Sequence, residues 1–113
     1  MGKGLVSTII PVFNRPVMLK EAVASVLRQT YRPIEIIIVD DGSIDETPQV
    51  AEALARKHPE EITVLHIQNS GPGAAREVGR QHARGEFIQY LDSDDLLLPQ
   101  KFALQIRGLK ANI

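Results

Sequence analysis

The 113-residue chain contains no cysteine, which excludes a disulfide framework and any thiolate metal site. Charge of one sign is also lacking. Thirteen Lys and Arg against fourteen Asp and Glu leave a formal net charge of −1, so there is no electrostatic argument for nucleic acid or an anionic membrane as partner. No apolar run approaches the roughly 20 residues of a membrane-spanning helix. The opening Met1-Gly2-Lys3-Gly4 lacks the long apolar stretch of a signal peptide. The expected location is cytoplasmic, with membrane association left open for a longer protein. Internal repeats, linkers and low-complexity stretches are missing too. His58, His66 and His82 show no metal-ligand spacing, and they read as surface or half-buried histidines. No Ser–His–Asp set can be assembled.

What is present is an ordinary globular composition, 43% hydrophobic and 24% charged, long enough for one domain with its own core. Apolar runs and helical stripes alternate. Leu5 to Pro11 reads as a buried strand, and Ile34 to Val39 is nearly continuous apolar, as a strand covered on both faces should be. Ile62 to Ile67 and Glu86 to Leu91 supply two more strands. Between them, Leu19, Ala22, Val23, Val26 and Leu27 recur at helical spacing after a start at Asn14 and Pro16. Val50, Ala51, Leu54 and Ala55 form the stripe of a second helix, capped by Asp45 or Thr47. A third helix spans Gly73 to about Ala83. A last one opens at Pro99 and carries Phe102, Ala103, Ile106 and Leu109. The expected fold is α/β, a three-layer sandwich around a mostly parallel, Rossmann-like sheet. Ligands of such sheets bind beyond the carboxyl ends of the strands, where Asn14, Asp40, Asp41 and the Asp92–Asp95 segment fall.

Three segments carry chemistry. Asp92-Ser93-Asp94-Asp95 places three carboxylates in four residues. Two unit charges about 4 Å apart repel by about 4 kcal/mol at an effective dielectric of about 20. A divalent cation such as Mg²⁺ or Mn²⁺ turns that repulsion into binding and also bridges diphosphates. Taken alone, the segment suits a solvated turn with a capping aspartate better than a metal site. Val39-Asp40-Asp41-Gly42-Ser43 offers carboxylates at a strand end to a base N–H or a ribose hydroxyl, or else it is a tight turn. Asn69 to Arg76 is a glycine-containing loop that opens a helix, where backbone N–H groups favour anions and Arg76 can reach a phosphate. It is not the dinucleotide fingerprint: it follows the third strand, and Arg76 stands where the last glycine belongs.

Read together, Ser7 to Asn14, Ser25 to Tyr31, Glu35 to Ser43, Asn69-Ser70-Gly71 with Ala75-Arg76, Gly85 to Ile88, and Leu91 to Asp95 resemble family-2-type inverting glycosyltransferases with the GT-A fold. The resemblance runs from about residue 5 to about residue 105. It implies that the chain is a single domain over residues 1–113, the N-terminal nucleotide-sugar-binding part of a longer enzyme of polysaccharide biosynthesis. The activity implied is metal-assisted transfer of a sugar from a nucleoside-diphosphate donor, a UDP-sugar, to an acceptor hydroxyl on a saccharide or a lipid-linked molecule. By the same resemblance Pro11, Val12, Phe13 and Asn14 line the nucleotide pocket. Asp40 contacts the base with Asp41 close by, and Arg76 lies at the nucleotide. Asp92 approaches ribose or metal, and Asp94 is the principal ligand of a Mn²⁺ or Mg²⁺ ion in a DXD motif. Asp95 either joins them or caps the next helix. Where many relatives have asparagine after the arginine, this chain has Glu77.

The family's general base lies in a second half, so no catalytic base is assigned to any residue here, and full activity is not expected of this stretch alone. A non-catalytic nucleotide-sugar-binding module is the alternative. A phospho-acceptor signalling domain fits poorly, because its acidic pair should follow the first strand, where Pro11 to Asn14 stand instead. The resemblance also implies the strand order third, second, first, fourth. That order leaves the strand at Glu86 to Leu91 as a sheet edge, through which copies of the chain could pair.

Overall fold

A computed structural model describes residues 2–111, with the side chains of 109–111 outside the description. Four strands, β1 (Val6–Val12), β2 (Ile34–Asp41), β3 (Ile62–Ile67) and β4 (Phe87–Tyr90), alternate with α1 (Pro16–Leu27), α2 (Thr47–Lys57), α3 (Pro72–His82) and α4 (Lys101–Ala111). All strand pairs are parallel, in the order β3-β2-β1-β4. This is the expected α/β sandwich. None of the described helices is long and apolar enough to cross a membrane.

Side-chain alternation along the strands divides the core in two. Val6, Ile10 and Val12 of β1 with Ile34, Ile36 and Ile38 of β2 meet Leu19, Val23 and Val26 of α1, Ala51 of α2, and Phe102 and Ile106 of α4. Ile9, Ile37 and Val39 face the other way, onto α3 at Ala75 and Val78. Each fully buried Ile, Leu or Phe contributes roughly 1.5–3 kcal/mol through removal of apolar area from water. The helix α3 lies so close to the sheet that a Cβ on Gly79 would stand 2.5 Å from Ile9 Cγ2. Leu109, expected among the apolar residues of the last helix, has its side chain outside the description.

Several boundaries differ from expectation. The strand β2 runs two residues further, through Asp41. Asn14 does not cap α1: the residue before Pro16 is Arg15, which makes no side-chain capping bond, and Asn14 itself takes a left-handed φ of 53°. Asn tolerates that conformation better than most residues. At α2 the Asp45 carboxylate accepts the Thr47 N–H at 2.8 Å. Asp95 cannot cap α4, which begins only at Lys101.

At the other end of the strands, buried Glu35 accepts the Ser7 hydroxyl at 2.5 Å, the Arg84 N–H at 2.8 Å, and the Arg84 guanidinium at 3.0 and 3.1 Å. Among the described residues, β4 hydrogen-bonds to β1 alone. The N–H groups of Phe87 and Leu91 bond to the carbonyls of Leu5, just before β1, and Ile9 of β1, so those of Ile88 and Tyr90 point to the free edge. There the Gln89 side-chain amide donates to the Tyr90 carbonyl at 2.7 Å. The helix α4 covers the face beside β4, where Phe102 and Ile106 are buried, and a groove of about 550 Å³ remains between the two.

Candidate functional site

A cleft of about 380 Å³ opens beyond the carboxyl ends of β1, β2 and β4. Pro11, Val12, Phe13 and Arg15 form one wall, Asp41 the floor at the end of β2, and Pro72 and Arg76 a second wall from α3. Asp92, Ser93 and Asp94 close it from the loop after β4. Segments far apart in sequence meet here because parallel strands deliver all their carboxyl ends to one edge.

Asp40 and Asp41 are both buried, and they do different things. With β2 extending through Asp41, adjacent side chains point to opposite faces. Asp41 lines the cleft, and its two oxygens accept the backbone N–H groups of Ser70 at 2.7 Å and Gly71 at 2.9 Å. That pair of bonds fixes the loop that launches α3. The loops approach so closely that a Cβ on Gly42, which has a positive φ of 76°, would lie 2.7 Å from the Asn69 nitrogen. Asp40, expected at the base, is not among the residues lining the cleft. It bonds instead to the Ser43 N–H at 3.1 Å and to His66 Nδ1 at 3.0 Å.

Asn14 also stands outside the cleft lining, and Arg15 takes its place there. The Asn14 N–H donates to Ser43 Oγ at 2.9 Å, and its side-chain oxygen accepts the Ile44 N–H at 2.9 Å. It ties the loop after β1 to the loop after β2.

Arg76 Nη2 lies 3.1 Å from Asp92 Oδ1 across the cleft, with both side chains well exposed. Asp92, Asp94 and Asp95 each offer a carboxylate oxygen, all within 4.8 Å of one another. These hard oxygen donors on an open loop suit Mg²⁺ or Mn²⁺, which retain waters and share ligands with phosphate. Asp95 thus stands with the pair Asp92 and Asp94. The Asp95 N–H is bonded to the Asp92 carbonyl at 2.9 Å, which folds the loop into a turn. Glu77 is taken up by Arg80, at 2.5 and 2.9 Å, and does not line the cleft.

One charged cluster outside the cleft lining was invisible to spacing. His66, on β3, has Glu52 Oε2 of α2 at 2.6 Å from Nε2 and Asp40 Oδ2 at 3.0 Å from Nδ1. The Glu52 hydrogen bond, then the Asp40 one, raise its pKa above the ordinary imidazole value against partial burial.

The profile of Glycosyl transferase family 2 matches residues 7–112. The chain is 42% identical over 107 residues to an uncharacterized glycosyltransferase of Rickettsia felis, covering 95% of this chain and 17% of that protein. It therefore spans about a sixth of that relative's length. Among solved structures it is similar to S. aureus TarS 1-349 in complex with UDP, with a TM-score of 0.84 at 27% identity, over 94% of this chain and 32% of that one. It is also similar to the mannosyltransferase PcManGT from Pyrobaculum calidifontis in complex with GDP-Man and Mn²⁺. There the TM-score is 0.75 at 28% identity, over 80% of this chain and 28% of that one.

Proposed function

This chain belongs to glycosyl transferase family 2, and we propose from that premise that its cleft binds the nucleoside diphosphate of a sugar donor, of the uridine type, with a divalent cation. The observation that carries the reading is the meeting, in one cleft, of an arginine, the amino end of α3 and the aspartates after β4. A diphosphate can use all three, the arginine and the helix end directly and the aspartates through a cation. UDP in the TarS complex and Mn²⁺ with GDP-Man in the PcManGT complex support it.

The roles follow from position. Asp92 and Asp94 would hold Mn²⁺ or Mg²⁺, with Asp95 adjacent. A cation held there supplies Lewis-acid stabilisation of the leaving diphosphate. Arg76 serves the diphosphate: its exposed pair with Asp92 is worth only about 0–1 kcal/mol, so a phosphate oxygen displaces it readily. The backbone of Pro11 to Phe13, with Asp41, forms the side that receives the nucleoside. In the longer enzyme the donor sugar would pass to an acceptor hydroxyl, saccharide or lipid-linked, with the general base supplied outside this chain. For the isolated chain the reading adds pairing between copies through the free edge of β4.

Calorimetry with uridine diphosphate, with and without Mn²⁺, tests the donor site. Asp94→Ala should weaken the metal-dependent part of binding more than Asp95→Ala, because Asp94 lines the cleft and Asp95 does not. Equal affinity before and after chelation would remove the metal from the reading.

A further inference from the structure

In the sheet register His66 of β3 stands opposite Asp40 of β2. Its ring has a carboxylate at each nitrogen, Asp40 at 3.0 Å and Glu52 at 2.6 Å. Only the imidazolium carries a proton on both nitrogens, so two such partners select the charged form. The charged groups facing the ring are Asp40 from β2, and Glu52 and Arg56 from α2, the latter two sharing a shallow depression with it.

Asp40 is the member that cannot fall back on water, being 3% exposed. Its other oxygen accepts the Ser43 N–H at 3.1 Å. Ser43 Oγ in turn accepts the Asn14 N–H at 2.9 Å, and Asn14 Oδ1 accepts the Ile44 N–H at 2.9 Å. Asn14 sits between Phe13 and Arg15, both of which line the cleft. Hydrogen bonds joined through Ser43, by its backbone on one side and its hydroxyl on the other, therefore link a half-exposed imidazole to Asn14 in the segment that forms the cleft wall.

We propose that His66, as the imidazolium, is a positioning residue for the nucleotide: it holds Asp40, and through Ser43 and Asn14 it sets the wall of the cleft. The proposal rests on the donor reading above. When the ring loses its proton, one nitrogen turns a lone pair toward a carboxylate, and one arm of the network is lost. Because Glu52 and then Asp40 raise the pKa, the arm is intact below the ordinary value of 6.5. It fails only as pH rises through the higher value of the folded chain.

The test is an NMR titration of the 113-residue chain, paired with uridine diphosphate affinity in Mg²⁺ across the same pH range. The amide signals of Ser43 and Asn14 should follow the His66 ring without ligand. Affinity should fall roughly fivefold as the ring deprotonates, a typical size for coupling between sites. His66→Gln, at a half-exposed position, should bind weakly at low pH and lose that transition; the comparison cancels titration of the ligand phosphate. Glu52→Gln should move the His66 transition and the affinity transition together to lower pH, which a space-filling role would not do. Identical pH profiles for wild type and His66→Gln, or Ser43 and Asn14 amides indifferent to the ring, would overturn the proposal. Amides that track the ring with no uridine diphosphate binding at any pH would overturn the donor reading and leave the network standing.

Discussion

Replacing Asp41 by asparagine changes one heavy atom, an oxygen for a nitrogen, and tests how the cleft is built. The wild-type carboxylate accepts the Ser70 and Gly71 N–H groups at 2.7 and 2.9 Å while almost fully buried. An amide offers one acceptor. Its NH₂ group must then face the second N–H, donor against donor. One hydrogen bond to a charged group is worth about 1.5–3 kcal/mol, and the loss cannot be recovered from water at a buried site. Part of it is relieved by movement of the Ser70–Gly71 loop. That loop starts α3 and so aims Arg76, one turn further on, into the cleft. If about half of the loss, roughly 0.75–1.5 kcal/mol, appears as misplacement of the diphosphate-binding groups, nucleotide affinity falls about four- to tenfold. Calorimetry with uridine diphosphate and Mg²⁺ reads the affinity, and urea denaturation reads global stability. The effect on affinity should be present at every pH, unlike that of the His66 substitution, because no titrating ring stands between Asp41 and the loop. A variant that loses stability yet binds as tightly as wild type would refute the reasoning, since the clamp would then be holding the fold and not the cleft.

Other outcomes follow from the same geometry. Burial by itself would raise the Glu35 pKa, but the Ser7 hydroxyl and the Arg84 backbone and guanidinium outweigh it and hold the pKa below 4.5. A carboxylate with a depressed folded pKa stabilises above its ordinary value and loses that contribution as pH falls through the folded one. Denaturation curves should therefore show a loss below about pH 4.5 that Glu35→Gln does not show. Gly79→Ala pushes a Cβ to 2.5 Å from Ile9 and 3.2 Å from Val39, and overpacking of this kind costs about 1–3 kcal/mol. A melting temperature equal to wild type would mean that α3 can lift off the sheet without cost. Light scattering over a concentration series should show association through β4. A monomer at high concentration, with the residue 88 and 90 amides protected from exchange, would exclude edge pairing between copies.

The layer order, the parallel sheet and the placing of Asp41, Asp92 and Asp94 at one edge were legible because each rests on a local pattern, whereas Arg76 came in through the family resemblance. Apolar runs of six or seven residues between helical stripes specify strand and helix, and polar residues at strand ends then fall together. What a local pattern does not reveal is where a strand stops. Two more residues of β2 place Asp40 and Asp41 inside the strand, and alternation then sends one to His66 and the other to the Ser70–Gly71 loop. Asn14 misled for a related reason. Asparagine before a proline reads as a cap, yet the same short side chain also suits a left-handed bend, and contacts 29 and 30 residues away in the sequence settle which use prevails.

His66 shows the deeper limit. Its carboxylate partners lie 14 and 26 residues away, on a helix and on a neighbouring strand, so no spacing rule joins the three. Parallel strands create such sets systematically, because every strand-to-strand neighbour is separated by a whole crossover. Groups that act on a ligand in this fold are therefore easier to find in sequence than the groups that hold them in place. The first sit at strand ends, in loops rich in Gly and Asp, or like Arg76 in the opening turns of the helix that follows. The second can lie anywhere along a strand whose side chain faces a helix. The chain Glu52–His66–Asp40–Ser43–Asn14 belongs to this second kind, and one edge of the sheet carries both kinds: Asp41 faces the cleft directly, and Asp40, its neighbour in sequence, reaches the cleft only through the loop that Asn14 closes.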